Sequence, residues 1–324
     1  MNVPLDASAK GVFAISATPF ADAGDIDWPS VDSLVEFYLQ CGVQGLTALG
    51  MMGEAQKLSD QESAEFTQYF LRRVNGRVPV IELTRPHQLN ALNSEVLQLL
   101  LERIEGVQRD PKVGCVVIQG AGERAFSAGA DLDEIRGLGV VEAQEFIRAG
   151  HRTMSALATS NVPVVAAVDG FALGGGFELA LACHVVVASD RSQFGLPEAR
   201  IGCIPGFGGT QRLPASVGKA TALHLLLTGE RVDAERAWQI GLLSVPPLAP
   251  DTLQGEVARL AGLIASGSRT GLANLLDAAR PAIAPAALAH EAALAALSIA
   301  SRDGQEGIAS FAERRAPVFH EESS

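Results

Sequence analysis

The run Ala172-Leu173-Gly174-Gly175-Gly176-Phe177-Glu178-Leu179 limits the fold more than any other stretch of this chain. Three consecutive glycines interrupt any regular element and allow close approach to bare main chain. The apolar segment Pro163-Val164-Val165-Ala166-Ala167-Val168 before them reads as a buried strand, and about Gly176 to Cys183 reads as a helix. The chain must therefore pass from strand through a tight turn into a helix here. Glu178 falls in that apolar helix, where a carboxylate is costly unless it has a task or a partner. Twenty residues later a second glycine-marked turn, Phe194-Gly195-Leu196-Pro197-Glu198, carries another acid. Two readings fit these positions. The acids form an acid/base pair beside a row of exposed N–H groups, or Glu178 caps a helix and Glu198 lies on a surface turn.

Composition narrows the function classes. With 324 residues, 48% of them hydrophobic and 19% charged, the chain can bury a substantial core. Its net charge is −12 and it has no basic stripe, so nucleic acid is not an expected partner. Cys41, Cys115, Cys183 and Cys203 show no CxxC spacing and stand in apolar surroundings, which reads as reduced core residues and not a metal site. The start Met1-Asn2-Val3-Pro4 has no secretory pattern, and no segment is long and apolar enough to span a bilayer. The expectation is a cytoplasmic protein without membrane, metal or redox cofactor.

The pattern changes near residue 80. Before it, Gly11 to Ala17 and Gly45 to Gly50 read as strands, and Val31, Leu34, Val35 and Tyr38 mark one face of a helix over Asp27 to Gln40. Ser59 and Glu62 form a capping box that opens a second helix, and Val78-Pro79-Val80-Ile81 reads as a third strand. This βαβαβ order predicts parallel strands. Residues 11–81 resemble the start of the dihydrodipicolinate synthase/N-acetylneuraminate lyase family of (β/α)8 barrels, through Gly11 to Thr18-Pro19-Phe20, Gly50-Met51-Met52-Gly53-Glu54, Leu58-Ser59 and Asn75 to Val80. The resemblance implies a barrel fragment of roughly two and a half units. Met51 and Met52 replace the paired threonines common in that family, and neither Lys10 nor Lys57 matches its Schiff-base lysine. The fragment is expected to lack the barrel chemistry.

From Ile81 onward a second series begins: Arg85-Pro86…Asn90-Ala91-Leu92, Phe126-Ser127-Ala128-Gly129-Ala130-Asp131, Gly170 to Gly176, Phe194 to Glu198, Gly206-Phe207-Gly208-Gly209-Thr210-Gln211-Arg212-Leu213, and a terminal Glu306-Gly307-Ile308…Phe311. Residues 81–324 resemble the crotonase (enoyl-CoA hydratase/isomerase) family. The resemblance implies an α/β fold: a spiral core of ββα turns over 81–248, followed by a helical oligomerisation region over 249–324. The family's opening strand is expected to be replaced by the barrel-like segment 1–80, with Arg77 to Leu83 shared across the junction. His184 stands where members commonly carry Asp, and reads as a structural histidine.

The resemblance also implies an activity, the addition of water across the double bond of an α,β-unsaturated acyl-CoA, with coenzyme A entering only as part of the substrate. It assigns the Ala130 and Gly175 N–H groups to the thioester oxygen, Glu178 to water activation and Glu198 to the α-carbon proton. Substrate contacts fall on Gln88, Leu89, Ala91, Leu92, Ala128, Gly129, Asp131, Gly174, Pro197 and Gly206, with Arg85, Arg314 and Arg315 as phosphate candidates. Both acids are expected to have raised pKa values. Isomerase or other acyl-CoA lyase activity, and a non-catalytic fusion protein, are the alternatives. A homotrimer or hexamer built through the alanine-rich C-terminal helices is the expected assembly.

Overall fold

The computed structural model describes residues 13–15, 17–21, 24–40, 45–47, 58–59, 62, 78–280 and 283–319. The chain divides into two compact units, Met1–Pro79 and Val80–Ser324. In the first, β1 (Phe13–Ile15) and β2 (Gly45–Thr47) pair in parallel and α1 (Trp28–Gln40) connects them. Val31 and Val35, one turn apart, are the buried face of α1. The capping box is formed: the Glu62 N–H donates to the Ser59 hydroxyl (3.2 Å) and the Ser59 N–H to the Glu62 carboxylate (2.8 Å). The body of the helix it was expected to open, like Met51 and Met52, lies outside the described residues.

The third strand of the expected βαβαβ series belongs elsewhere. It is β3 (Val80–Leu83), and it pairs in parallel with β4 (Val116–Gly120) of the second unit. The opening strand expected to be missing from that unit is therefore present. Burial decides its allegiance: Leu83 is buried in the large core, and Ile81 packs against that core.

The second unit repeats one path three times. After α2 (Ser94–Arg109), β4 leads to β5 (Ala125–Ser127) and then to α3 (Leu132–Ile135) and α4 (Val140–Ala158). Next, β6 (Val164–Val168) leads to β7 (Phe171–Leu173) and α5 (Gly175–Ala182). Finally, β8 (Val185–Ala188) leads to β9 (Gln193–Gly195) and a 3-10 turn, Pro197–Ile201. The first strand of each turn enters a sheet ordered β3-β4-β6-β8, and the second enters a sheet ordered β10-β9-β7-β5, where β10 is Arg231–Asp233. All pairings are parallel except β10 with β9. This is the ββα spiral. Strands β5, β7 and β9 fall where the sequence predicts only turns. At three residues each they are too short to show alternation, and β5 is buried throughout.

Phe126, Phe177, Phe194 and Phe207 fill the core, with the Phe177 and Phe194 rings 5.5 Å apart. Each buried phenylalanine contributes about 1.5–3 kcal/mol. Helices α6 (Gly209–Val217), α7 (Lys219–Thr228) and α8 (Ala234–Gln239) follow the spiral. The chain then runs through α9 (Pro250–Ala265), α10 (Arg269–Ala279), α11 (Pro285–Ala300) and α12 (Arg302–Ala312). Helix α11 packs along α4, which places its buried face near the C-terminal side of the spiral.

Candidate active site

Two turns bring bare main chain together. After β5 the chain passes through Ala128-Gly129-Ala130 and is gripped from one side by Leu92. The Leu92 N–H donates to the Gly129 carbonyl (2.8 Å), and the Asp131 N–H donates to the Leu92 carbonyl (3.0 Å). In this parallel bridge the intervening residue, Ala130, directs its own N–H away from Leu92. The second turn follows β7. Gly174 adopts φ 51° and ψ −129°, a region open essentially only to glycine, and its N–H is held by the Gly195 carbonyl (2.9 Å). Helix α5 begins at once, so the Gly175 N–H is among its free N-terminal donors. A Cβ on Gly175 would lie 3.4 Å from the Ala130 nitrogen, and one on Gly129 would lie 3.2 Å from the Gly175 nitrogen. The two amides are neighbours, and among the described residues neither donates to another group.

Glu178 lies one turn into α5 and is 1% exposed. Its Oε1 accepts from the N–H groups of Phe207 (2.8 Å) and Gly209 (2.7 Å), at the start of α6. Burial pushes its pKa well above the ordinary carboxylate range, and the negative charges of Glu198 and Glu291 push in the same direction. The two N–H donors oppose them. Glu198 comes from the 3-10 turn, and a Cβ on Gly174 would lie 2.9 Å from its Oε1. Its Oε2 is buried without a hydrogen-bond partner. Burial, with Glu291 adding, brings the Glu198 carboxyl up to about 7. Neighbouring acids with buried carboxyl oxygens cannot both ionise cheaply, and they titrate as a pair. Two amide donors favour the charge on Glu178, and an unpartnered oxygen favours the proton on Glu198. Glu178 thus also caps a helix, the start of α6 and not its own, while the Oε2 of Glu198 is withdrawn from the surface on which its turn lies.

The loops expected to meet substrate also converge. Leu89 (φ 52°) and Asn90 (φ 56°) are both left-handed, which is unusual for residues other than glycine. The buried Asn90 side chain holds them: its Oδ1 accepts from the Arg85 N–H (3.0 Å), and its Nδ2 donates to the carbonyls of Ala121 (3.0 Å) and Ala125 (2.8 Å). The Ala128 N–H donates to the Leu89 carbonyl (2.9 Å), which joins the two loops. Gln88 is exposed, Leu89 and Ala91 are half-buried, and Leu92 is buried in the core and acts on the turn through its main chain. Pro197 opens the turn that carries Glu198. Gly206 is buried and wedged against Ile147 and Ala295, so close packing is what its surroundings show.

Two phosphate candidates are already engaged. Arg85 pairs with Asp131 (2.9 Å) and donates to the Ala91 carbonyl (2.8 Å), while Arg315 pairs with Glu306 and Glu313. Asp131 also caps α3. His184 Nδ1 accepts from the Val164 N–H (3.0 Å), and burial, with the charge of Arg280, lowers its pKa to about 4. It is a neutral structural residue. Burial raises the thiols of Cys115, Cys183 and Cys203 to about 12, so none is a thiolate nucleophile at neutral pH. A cavity of about 610 Å³ behind the end of α5 is lined by Cys183, His184 and Arg212 among others, and neither acid lines it. No cluster of three metal-binding side chains occurs among the described residues, nor any helix long and apolar enough to cross a membrane.

Two residues at the site were not found from sequence. Arg212, 5% exposed, donates from Nη1 to the Phe207 carbonyl (2.7 Å). Glu291, 3% exposed, sits on α11 beside the same turn. Its signal was available: Glu291, Ala295 and Ile299 recur every four residues on the buried face of an alanine-rich helix.

Comparison with known proteins agrees with this geometry. The family model described as enoyl-CoA hydratase/isomerase matches residues 73–322. That of the dihydrodipicolinate synthetase family matches residues 8–86. A crotonyl-CoA hydratase of Syntrophomonas wolfei is 37% identical over 246 residues, covering 75% of this chain and 94% of that protein. A probable enoyl-CoA hydratase of Mycobacterium bovis is 39% identical over 246 residues, with the same two shares of 75% and 94%. The crystal structure of an enoyl-CoA hydratase from Mycobacterium avium subsp. paratuberculosis superposes with a TM-score of 0.67 at 33% identity, covering 75% of this chain and 95% of that one. With its paired amides, its two neighbouring acids and these relatives over three quarters of its length, the chain belongs to the enoyl-CoA hydratase/isomerase family.

Proposed function

We propose that the chain is an enoyl-CoA hydratase. The observation that carries this reading is the pairing of two undonated amides, Ala130 and Gly175, with two acids, the buried Glu178 held by two amide donors and the half-buried Glu198 whose buried oxygen has no partner. Water addition to an α,β-unsaturated thioester places negative charge on the thioester oxygen. Two preorganised N–H groups stabilise that charge, each worth about 2.7–4 kcal/mol when lost. Glu178 takes a proton from water as the oxygen bonds to the β-carbon. The alkene electrons move to the thioester, and Glu198 gives its proton to the α-carbon. The products are the 3-hydroxyacyl thioester, a protonated Glu178 and an ionised Glu198, and proton exchange restores the pair.

The coenzyme A arm is assigned to the joined loops Gln88–Leu92 and Ala128–Asp131, and no cofactor takes part. The free thiols of Cys115, Cys183 and Cys203, two of them buried and Cys183 half-buried, fit a reducing cytoplasm. Exposed Leu263, Leu275, Leu294, Leu297 and Phe311 on α9 to α12 support a homotrimer or hexamer. The first unit is assigned as a barrel-like fragment without its own chemistry. Incubation of the full chain with crotonyl-CoA tests the activity, and loss of the conjugated-thioester absorbance is expected. Double-bond migration without hydration, or no turnover, would replace this reading with the isomerase or the non-catalytic one.

A further inference from the structure

Four consecutive amides at the start of α6 serve two acids in alternation. Phe207 and Gly209 donate to Glu178. Gly208 (2.6 Å) and Thr210 (3.0 Å) donate to Glu291, as does the Thr210 hydroxyl. Glu291 reaches this turn from α11, more than eighty residues away in sequence, and both of its oxygens are used. His151 Nε2 on α4 stands 3.3 Å from its Oε1. A carboxylate this buried is costly unless its lone pairs are met, and here they are met by the backbone of a neighbouring active-site turn.

We propose that Glu291 is a positioning residue for the acid pair: by holding the Gly208 and Thr210 amides, it aims the alternate Phe207 and Gly209 amides at Glu178. The proposal rests on the hydratase reading and adds a member to that machinery. Gly208, left-handed at φ 104°, turns the chain into α6 at Gly209, and the four successive N–H groups of this short turn alternate between the two acids, so holding one set constrains the other. Arg212 supports the same turn through the Phe207 carbonyl. The charged groups around Glu291 are Glu178 on α5, Glu198 on the 3-10 turn, His151 on α4 and Arg212 on α6. Arg148 and Arg152 lie exposed along the α4–α11 groove. The negative charge of Glu291 also raises the pKa of both acids.

The test is E291Q in the full chain, alone and with E178Q, on crotonyl-CoA. The carboxamide removes the charge and can accept from only one side of the turn. The expected kcat loss is about 10- to 100-fold, in line with small misplacements of catalytic groups, and KM should move far less. That loss should vanish in the E178Q background, and the alkaline limb of the kcat profile should shift to lower pH. An equal loss in both backgrounds, or an unmoved limb, overturns the proposal. T210V, which removes only the hydroxyl donor, should give a smaller effect of the same kind and serves if E291Q does not fold; a T210V that keeps wild-type kcat and pH profile then overturns it. A wild type inactive on crotonyl-CoA sinks the hydratase reading instead. In that case a carbon-13 titration of glutamate-labelled protein still decides whether E291Q lowers the pair's titration.

Discussion

The turn carrying Glu178 and the turn carrying Glu198 show how one residue type is set in two environments. Burial of carboxyl oxygens disfavours charge on each. Glu178 receives two main-chain donors from the start of a nine-residue helix, whereas the buried oxygen of Glu198 receives none. On the proposed function, local donors and not the identity of the side chain separate base from acid. A two-carboxylate site can thus be tuned from its backbone.

The sharpest break of this contrast is E178Q. It should lower kcat on crotonyl-CoA by about 10³-fold, within the span for a lost general base, with KM little changed; a near-wild-type rate removes Glu178 from the chemistry. Gly174→Ala attacks the contact between the two turns. Its Cβ would press on the Glu198 carboxylate and its backbone would be strained, so we expect a loss of about 10²-fold in kcat and about 1–3 kcal/mol in stability. Normal kinetics in this variant would mean the turns are independent.

A subtler test concerns the proton. Glu198 titrates at about 7 in the folded chain against an ordinary value of 4.5. Between those values the folded state binds more proton than the unfolded state, so this group's contribution to stability falls as pH rises. E198Q should therefore gain on the order of 2–3 kcal/mol relative to wild type between pH 4.5 and pH 8 in urea unfolding. A pH-independent difference would show that the proton sits elsewhere.

The legible parts of the site were those written locally. The Gly174–Gly176 turn and both acids announce themselves within a few residues, because tight turns demand glycine and apolar segments tolerate acids poorly. The short strands β5, β7 and β9 are hidden, since three residues are too few to carry periodicity. Glu291 was hidden by distance: its partners lie at Gly208 and Thr210, and only tertiary packing joins them. The Arg85–Asp131 pair could not be seen for the same reason. The sequence leaves Arg77 to Leu83 shared between the two patterns, because a strand declares its own shape but not its neighbour, and the pairing with β4 places Val80–Leu83 in the second unit.

The bridge between Leu92 and the Gly129–Asp131 turn has one more consequence. An amide aimed by peptide groups on both flanks keeps its aim when adjacent side chains change in size or polarity. On the proposed function, the wall facing an acyl chain can therefore be recut for longer, shorter or branched substrates while the Ala130 amide stays in place.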